Sequence, residues 1–397
     1  ALRANLASNN TAVGSSALTA QTTGNANVAM GAFAGDAMTT GSYNVAIGYN
    51  SMSAATGISY NTAVGWGTLD AATSTNLEAV AIGYNAQGAV TTGAQNCVVG
   101  TESFSTATTG ANNVAIGNYV MTGDVTGNSN TGVGYYAGNA LTTGASNTFI
   151  GNQSGKASTT GGTNVGVGHN SLLANTTGAG NVAVGGLCNS TATTASYNTS
   201  MGYAALNAVT GSNNTAMGTD AGVATTTGAN NLFLGKDSGR TGSPGGNITT
   251  ASNEVCIGNA SISAANIQVD WTIASDKRDK TDVSPLDLGL EFINQLEPVT
   301  YRWDKRSKYS DDQSIIPDGT HKEEQLEGGL LAQDVEVIEK QYGYQQSDKT
   351  NLITKLSEDG KMYGIKYSKL VPMLIKAVQE LSAEVEELKK EKNNGSN

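Results

Sequence analysis

Ser275 and Lys280 are a serine and a lysine five residues apart, two residue types that could perform catalysis together. A serine hydroxyl becomes a strong nucleophile when a neighbouring base takes its proton, and a neutral lysine amine can be that base. Such a lysine must first lose its own proton, which requires removal from water or nearby positive charge, and Lys277 and Arg278 could supply that charge. A five-residue spacing is common on protein surfaces. The alternative is therefore that Ser275 caps a turn and Lys280 is solvated.

The sequence offers little else for metal, redox or cofactor chemistry. Its two histidines, His169 and His321, are isolated from each other. The three cysteines, Cys97, Cys188 and Cys256, stand where other copies of a repeat carry small residues. We expect no metal site, no disulfide and no cofactor. The repeats hold no carboxylate pair at a distinctive spacing, so we expect no glycan-degrading activity.

A phrase of the form Asn-x-Ala-apolar-Gly returns through the first two thirds of the chain, most often every seventeen residues. Its closing glycines are Gly14, Gly31, Gly48, Gly65, Gly83, Gly100, Gly117, Gly134, Gly151, Gly168, Gly185, Gly202, Gly218, Gly235 and Gly258. Only the steps into Gly83, Gly218 and Gly258 differ from seventeen residues. A constant period of this kind predicts a solenoid of short turns, each stable only against its neighbours.

The copy at residues 44–48 illustrates the expected structure of one turn. Ile47 is replaced only by aliphatic residues or Met, so we predict that it is buried on one strand face with Val45, while Ala46 faces the other way. Gly48 suits a corner with positive φ or close backbone approach, and the frequent Thr-Thr-Gly supplies a second corner. Asn44 recurs in thirteen of fifteen copies. We therefore predict a ladder of stacked Asn amides, in a rod about 70 Å long.

Composition divides the chain into two unlike parts. Residues 1–270 contain four basic and nine acidic residues, and residues 271–397 contain eighteen and twenty-four. Neither part is basic, which argues against a nucleic-acid partner. No stretch approaches the roughly 20 apolar residues of a membrane span, and the N-terminus lacks a signal-peptide core. These features predict a protein without membrane insertion.

The repeat leaves an Ala and Gly face uncovered, which favours self-association, and we predict a parallel homotrimer about a threefold axis. The region resembles the YadA-like heads of trimeric bacterial adhesins, whose Asn-Ser-Val-Ala-Ile-Gly phrase is similar to residues 44–48 and 113–117. Those heads use a shorter repeat. The resemblance therefore covers the strand and not the spacing, and it implies a β-roll.

The C-terminal part resembles the self-cleaving intramolecular chaperone domain of phage tailspikes, tail fibres and endosialidases, the peptidase S74 family. That domain opens Ser-Asp-x-Arg-x-Lys-x-x-Ile/Val, matched here by Ser275, Asp276, Arg278, Lys280 and Val283. Further similar segments lie at 296–303, 329–336 and 367–381. Asp279 departs from the pattern, because many members have Leu there.

This resemblance implies a serine-lysine endopeptidase that acts once, on its own chain. Ser275 would be the nucleophile and Lys280 the general base, and the Ala274–Ser275 bond would be cleaved, with Asp276 and Arg278 as supporting residues. An oxyanion hole must come from backbone donors of an adjacent segment or subunit. Cleavage after assembly would leave the fibre kinetically trapped.

The last helix carries apolar residues in steps of three and four, a heptad pattern that predicts a coiled coil over 368–392. These residues are Val371, Leu374, Val378, Leu381, Val385 and Leu388. Val at a with Leu at d favours two strands in isolated coils, whereas the family resemblance implies three, and we predict three. The alternative is that this helix packs only on its own domain.

Aromatic residues follow the repeat glycine on consecutive turns at Tyr49, Trp66 and Tyr84. On a solenoid they would align and could form a platform for sugar rings. The alternative is that they are corner caps that shield the core.

Together these patterns predict a mostly β chain with three parts. A β-solenoid fibre spans 1–260, a cleavage junction 261–274, and an α+β chaperone domain with its coiled coil 275–397. The predicted function is a homotrimeric phage tail fibre that binds a host cell-surface receptor, with a glycan as the favoured class. We expect the protein to be located in the virion, after synthesis in the host cytoplasm. The sequence leaves no room for a tail-attachment domain ahead of Gly14, so we expect either a short fibre or one joined to a tail or baseplate by an adaptor or by further upstream sequence. A trimeric bacterial surface adhesin is the alternative.

Overall fold

The computed structural model describes residues 7–74, 77–269, 271–310 and 314–394. Contacts divide the chain into two compact units. The first, called the solenoid unit, contains the residues up to Arg240 together with Thr249–Ile257. The second, called the C-terminal unit, contains Thr241–Ile248 and the residues from Gly258 onward.

The solenoid unit contributes one three-residue strand per turn to a single parallel sheet. The strands of its described residues are β1 (Thr11–Val13), β2 (Val28–Met30), β3 (Val45–Ile47), β4 (Thr62–Val64), β5 (Val80–Ile82), β6 (Cys97–Val99), β7 (Val114–Ile116), β8 (Thr131–Val133), β9 (Thr148–Ile150), β10 (Val165–Val167), β11 (Val182–Val184), β12 (Thr199–Met201), β13 (Thr215–Met217), β14 (Leu232–Leu234) and β15 (Val255–Ile257). They pair in chain order and in register, so that Val45 lies between Val28 and Thr62. The predicted parallel β-solenoid is confirmed.

The predicted orientation of these strands is wrong. The middle residue of a strand points into the solenoid, and the two flanking residues point out: Ala46 is 1% exposed, whereas Met30 is 46% exposed. The aliphatic residue before each glycine is therefore on the outer face. The physical reason is space, because the narrow interior is filled mainly by larger side chains from the turn after the strand, such as Met52 and Leu69.

Side-chain volumes inside the solenoid compensate for one another. Where the middle strand residue is the large Phe149, glycines stand beside it at Gly138 and Gly155, in the turn position that holds Met52 or Leu69 elsewhere. A Cβ on Gly138 would lie 3.0 Å from the Phe149 ring. Phe plus Gly thus replaces Ala plus Leu or Met, which preserves the dense packing that protein interiors require.

The asparagine ladder is confirmed. Asn147 donates from its side-chain amide to Asn130 Oδ1 (3.1 Å) and to the carbonyl of Gly161 (2.9 Å). Its own Oδ1 accepts from the backbone and side chain of Asn164 at 2.9 and 3.1 Å. The side chains are buried, and the hydrogen bonds satisfy them. At Ala79, where the sequence lacks Asn, only the backbone N–H continues the ladder, to Asn61 Oδ1.

The repeat glycine is required by the distance between turns as well as by its dihedral angle. Gly31 has φ of 135°, and a Cβ there would lie 2.5 Å from the carbonyl oxygen of Gly48 on the next turn. The glycine of the Thr-Thr-Gly corner is equally restricted, since a Cβ on Gly144 would lie 2.5 Å from Gly161 O. Both predicted corners therefore depend on the absence of a side chain.

The C-terminal unit is built from short elements around a small core. Its described helices and strands are a 3-10 turn (Lys277–Asp279), α1 (Leu290–Gln295), β16 (Val299–Tyr301), a 3-10 turn (Arg306–Lys308), β17 (Glu327–Gly329), α2 (Ala332–Gln341), β18 (Thr354–Leu356), β19 (Tyr363–Ile365), a 3-10 turn (Tyr367–Lys369) and α3 (Leu370–Asn394). Strands β16 and β17 form one antiparallel pair and β18 and β19 another. The core consists of Leu288, Phe292, Val335, Ile353 and Met373.

A buried carboxylate joins α2 to β18. Glu339 accepts hydrogen bonds from the backbone N–H groups of Leu352 (2.9 Å), Ile353 (2.7 Å) and Thr354 (3.1 Å) and from the Thr354 hydroxyl. Burial of a carboxylate is tolerated only with this degree of hydrogen bonding. Glu339 therefore fixes the loop before β18 against the helix.

The predicted C-terminal helix is confirmed as α3, and its two faces differ. Met373 and Ala377 are buried in the C-terminal unit, and Glu380 accepts a 2.6 Å hydrogen bond from the N–H of Leu290 at the start of α1. The hydrogen bond from Leu290 is the largest cause that lowers the pKa of Glu380, and the hydrogen bond from Lys376 is the next. The six heptad residues lie on another face and are exposed. Packing on its own domain and an unpartnered apolar stripe thus coexist on one helix.

Candidate functional site

A short 3-10 turn brings the serine and the lysine together. Asp276 caps the turn, because its carboxylate accepts from the N–H of Arg278 at 2.9 Å, and the N–H of Lys280 bonds to the carbonyl of Lys277 at 3.3 Å. The chain thereby folds back over five residues. Lys280 Nζ lies 2.6 Å from Ser275 Oγ, within hydrogen-bond distance.

Asp276 and Arg278, expected to support the dyad, are paired with each other. The Arg278 guanidinium donates to both carboxylate oxygens of Asp276, at 3.1, 3.2 and 2.6 Å. The side-chain bond from Arg278, and then its backbone N–H, lower the pKa of Asp276, and the same pair raises the pKa of Arg278. The guanidinium charge is thus balanced by Asp276. The expectation that Lys277 and Arg278 crowd Lys280 with positive charge stays a prediction.

The whole junction is open to water in the single chain. Ser275 and Lys280 are exposed, as are the described residues that precede them from Ser261 onward. Geometry therefore provides a nucleophile beside an amine, and the exposed setting leaves that amine solvated. General-base catalysis by lysine needs removal from water, which a further layer of protein over the site would provide.

Large apolar side chains alternate along the chain just before Ser275. Ile267, Val269, Trp271 and Ile273 stand at every second position, and Trp271 is 74% exposed. Alternation with a period of two is typical of a strand with one buried face. This signal is present in the sequence, within the segment 261–274 that was predicted as a cleavage junction.

The aromatic residues predicted to align do so. The rings of Tyr49 and Trp66 stack with centroids 6.4 Å apart and planes 9° from parallel, and those of Trp66 and Tyr84 with centroids 4.9 Å apart and planes at 11°. The two stacks cover both faces of Trp66 and one face each of Tyr49 and Tyr84, and Phe33 makes an edge contact with Tyr49. Stacking on a sugar needs a free face, which this ladder offers at its Tyr84 end.

Within the described ranges, no group of three or more His, Cys, Asp and Glu side chains is placed to hold a metal ion. None of the helices in the described part of the chain has both the length and the apolar character needed to cross a membrane.

Comparison with known protein families gives a match at the C-terminal part. Residues 275–344 match the family described as the chaperone of endosialidase, peptidase S74, and the match begins at Ser275. A search of curated proteins found no match for the chain.

The chain therefore carries a chaperone-of-endosialidase domain in its C-terminal part. Together with the β-solenoid, this domain fits a phage tail fibre or tailspike with a C-terminal chaperone. The family implies a self-cleaving intramolecular peptidase and a virion tail component. The resemblance of the repeats to YadA-like heads stays a prediction.

Proposed function

We propose that this protein is a homotrimeric phage tail fibre whose C-terminal domain, from Ser275, directs assembly and then removes itself by cutting the Ala274–Ser275 bond. The observation that carries the proposal is the 2.6 Å distance between Lys280 Nζ and Ser275 Oγ at the first residue of the matched domain. The mature part would be the solenoid, bound to the tail through an adaptor and to a receptor on the host surface.

The proposed reaction uses the serine on the carbonyl that precedes it. Neutral Lys280 takes the proton of the Ser275 hydroxyl, and the oxygen attacks the carbonyl carbon of Ala274. The C–N bond breaks, the nitrogen receives the proton from Lys280, and an ester joins Ala274 to the Ser275 side chain. Water then hydrolyses this ester, which leaves a carboxylate on Ala274 and a free amine and hydroxyl on Ser275.

The exposure of the dyad supports a dependence on assembly. Lys280 is solvated in the single chain, whereas its role as a base requires removal from water. In the proposal, neighbouring copies cover the junction in the trimer and supply donors for the developing oxyanion. Removal of one such donor in other enzymes costs about 100-fold or more in rate, so this layer decides when cleavage occurs.

Intact-mass measurement of freshly folded protein tests the reaction. We expect wild-type trimer to yield a fragment ending at Ala274 and one beginning at Ser275. Ser275→Ala and Lys280→Ala should both remain at full length. Ser284→Ala and Lys322→Ala, which change exposed residues of the same types, should cleave normally. A wild-type trimer that stays at full length would contradict the proposal.

Co-folding of the two inactive variants tests which chain supplies the base. Because the dyad forms within one chain, a mixture of Ser275→Ala and Lys280→Ala chains should not be cleaved. Cleaved product in mixed trimers would show that the lysine acts on a neighbouring chain. Hydroxylamine should intercept the ester and accelerate release in wild type only.

The aromatic ladder Tyr49, Trp66 and Tyr84 is proposed as a part of the receptor surface, with a glycan as the ligand class. Its support is the exposed, aligned set of rings on three consecutive turns. Tyr84→Ala removes the end with an open ring face and should weaken binding to host cells or glycan arrays more than Tyr197→Ala, an exposed tyrosine elsewhere on the solenoid. Equal binding by both variants would remove the ladder from the proposal.

A further inference from the structure

We infer that the outward face of the fifteen-stranded sheet, called the strand face, is the surface on which copies of this chain meet in parallel and in register. This inference rests on the proposed homotrimer and specifies its interface. The strand face consists of the first and third residues of strands β1 to β15. The sequence predicted association through the Ala and Gly face, but that face is turned inward. We therefore assign the interface to the strand face.

The chemistry of the strand face is that of an interface core. Among the strands of the described residues, every third position is Val, Ile, Leu or Met, every first position is Val, Thr, Cys or Leu, and none is charged. The side chains remain accessible in the single chain: Met217 is 45% exposed and Ile150 40%. Depletion of charged residues is typical of the core of an interface.

The size of the strand face also fits an interface. Fifteen strands at about 4.8 Å extend roughly 70 Å, and three residues at about 3.3 Å give a width near 10 Å. The resulting area of about 700 Å² exceeds the largest apolar patch of a typical monomer. It is close to the roughly 800 Å² that each partner contributes to a stable protein interface.

The regular spacing of this face identifies its occupant as another copy of the same chain. Apolar rows repeat along it at the interval between strands, so only a surface with the same interval can match every row. A second copy in parallel has that interval by construction. The exposed heptad residues of α3 fit the same arrangement, because identical helices can pair in parallel and in register under cyclic symmetry.

Cyclic symmetry makes a specific geometric prediction for Cys97. Identical residues of the copies lie at one level around the axis, and packed sheets are about 10 Å apart. Cys97 is the first residue of β6, half-buried on the strand face, whereas Cys188 and Cys256 are buried within the solenoid. The Cys97 thiols of neighbouring copies should therefore lie within reach of a short bis-maleimide, with the other cysteines protected.

Cross-linking of the full-length Ser275→Ala protein tests this arrangement. A bis-maleimide spanning about 10 Å should link most chains into dimers and trimers on a denaturing gel, and Cys97→Ser should abolish the links. In that background, Ile116→Cys on the strand face should restore them. Thr109→Cys, an exposed residue of the Thr-Thr-Gly corner, should not. Links at Thr109 equal to those at Ile116, or no links at either strand-face cysteine, would overturn the inference.

A charge substitution provides an independent measurement. Ile116→Lys combined with Ile150→Lys places six charges around the axis of a trimer, and we expect the fraction of trimer in native mass spectra to fall at least tenfold. Thr109→Lys combined with Thr143→Lys should leave it unchanged. Trimer that tolerates the strand-face lysines would place the interface elsewhere.

These experiments distinguish failure of the proposed homotrimer from failure of the strand-face interface. A wild-type protein that is monomeric at every concentration would reject the homotrimer itself. A trimer that lacks strand-face links and tolerates the lysines would leave the homotrimer and the cleavage mechanism intact and reject only the strand face.

Discussion

At the residue scale, buried asparagines stabilise the interior of the solenoid by hydrogen-bonding successive turns to one another. Asn147 of the ladder binds the turn before it, the turn after it and the Thr-Thr-Gly corner at Gly161. An apolar residue in its place would leave several backbone groups without partners. The ladder thus specifies register, because a shift of one residue would break every one of these bonds.

Replacement of one ladder residue tests this role. Asn147→Ala should lower the free energy of unfolding of the solenoid by about 3 kcal/mol, because it leaves the carbonyl of Gly161 and the N–H of Asn164 without their partners at about 1–3 kcal/mol each. Denaturant titration followed by circular dichroism measures the change. Thr143→Ala, an exposed residue of the same turn, should change stability by less than about 0.5 kcal/mol. Equal effects would contradict the structural role of the ladder.

At the element scale, the sequence predicted which elements form better than it predicted which way they face. The strand could be predicted from Ala46 and its neighbours, the corner from Gly48 and the ladder from Asn44. Each of these residues suits its place for a reason that depends only on the local backbone. The orientation of Ile47 could not be predicted in this way, since a period of two is satisfied by either face. The compensation between Phe149 and its neighbouring glycines contained the missing information, because only an inward Phe needs glycine on the adjacent turns.

The dyad illustrates the same limit at the site. Family resemblance singled out Ser275 and Lys280, and the 3-10 turn capped by Asp276 explains how residues five apart can meet. Local sequence could not reveal that Asp276 neutralises Arg278, because either charge has other neighbours in the segment. The proposal assigns the protein layer over Ser275 and Lys280 to neighbouring copies, so the sequence of one chain does not specify it locally.

The C-terminal unit should depend on Glu339 more than on any exposed carboxylate. Glu339→Ala leaves three backbone N–H groups of the loop before β18 without an acceptor, which should destabilise this unit by about 3 kcal/mol or more. We expect slower or incomplete self-cleavage although Ser275 and Lys280 are untouched. Thermal unfolding and intact mass measure both effects, and Glu384→Ala, an exposed residue of α3, is the control. Normal cleavage in an unfolded unit would contradict the dependence.

At the scale of the whole molecule, the described residues of the single chain expose apolar side chains on the strand face, on the heptad stripe of α3, and at Ile267, Val269, Trp271 and Ile273. If assembly covers the dyad, loss of the heptad contacts should reduce both oligomer and cleavage. Val378→Lys combined with Leu381→Lys places charge in the stripe and leaves Met373 and Ala377 in the core. We expect mostly uncleaved monomer by light scattering and intact mass. Glu384→Lys lies outside the stripe and should assemble and cleave normally. Rapid cleavage by the monomeric double variant would mean that one chain suffices, and it would separate the protease from its proposed role as a checkpoint on assembly.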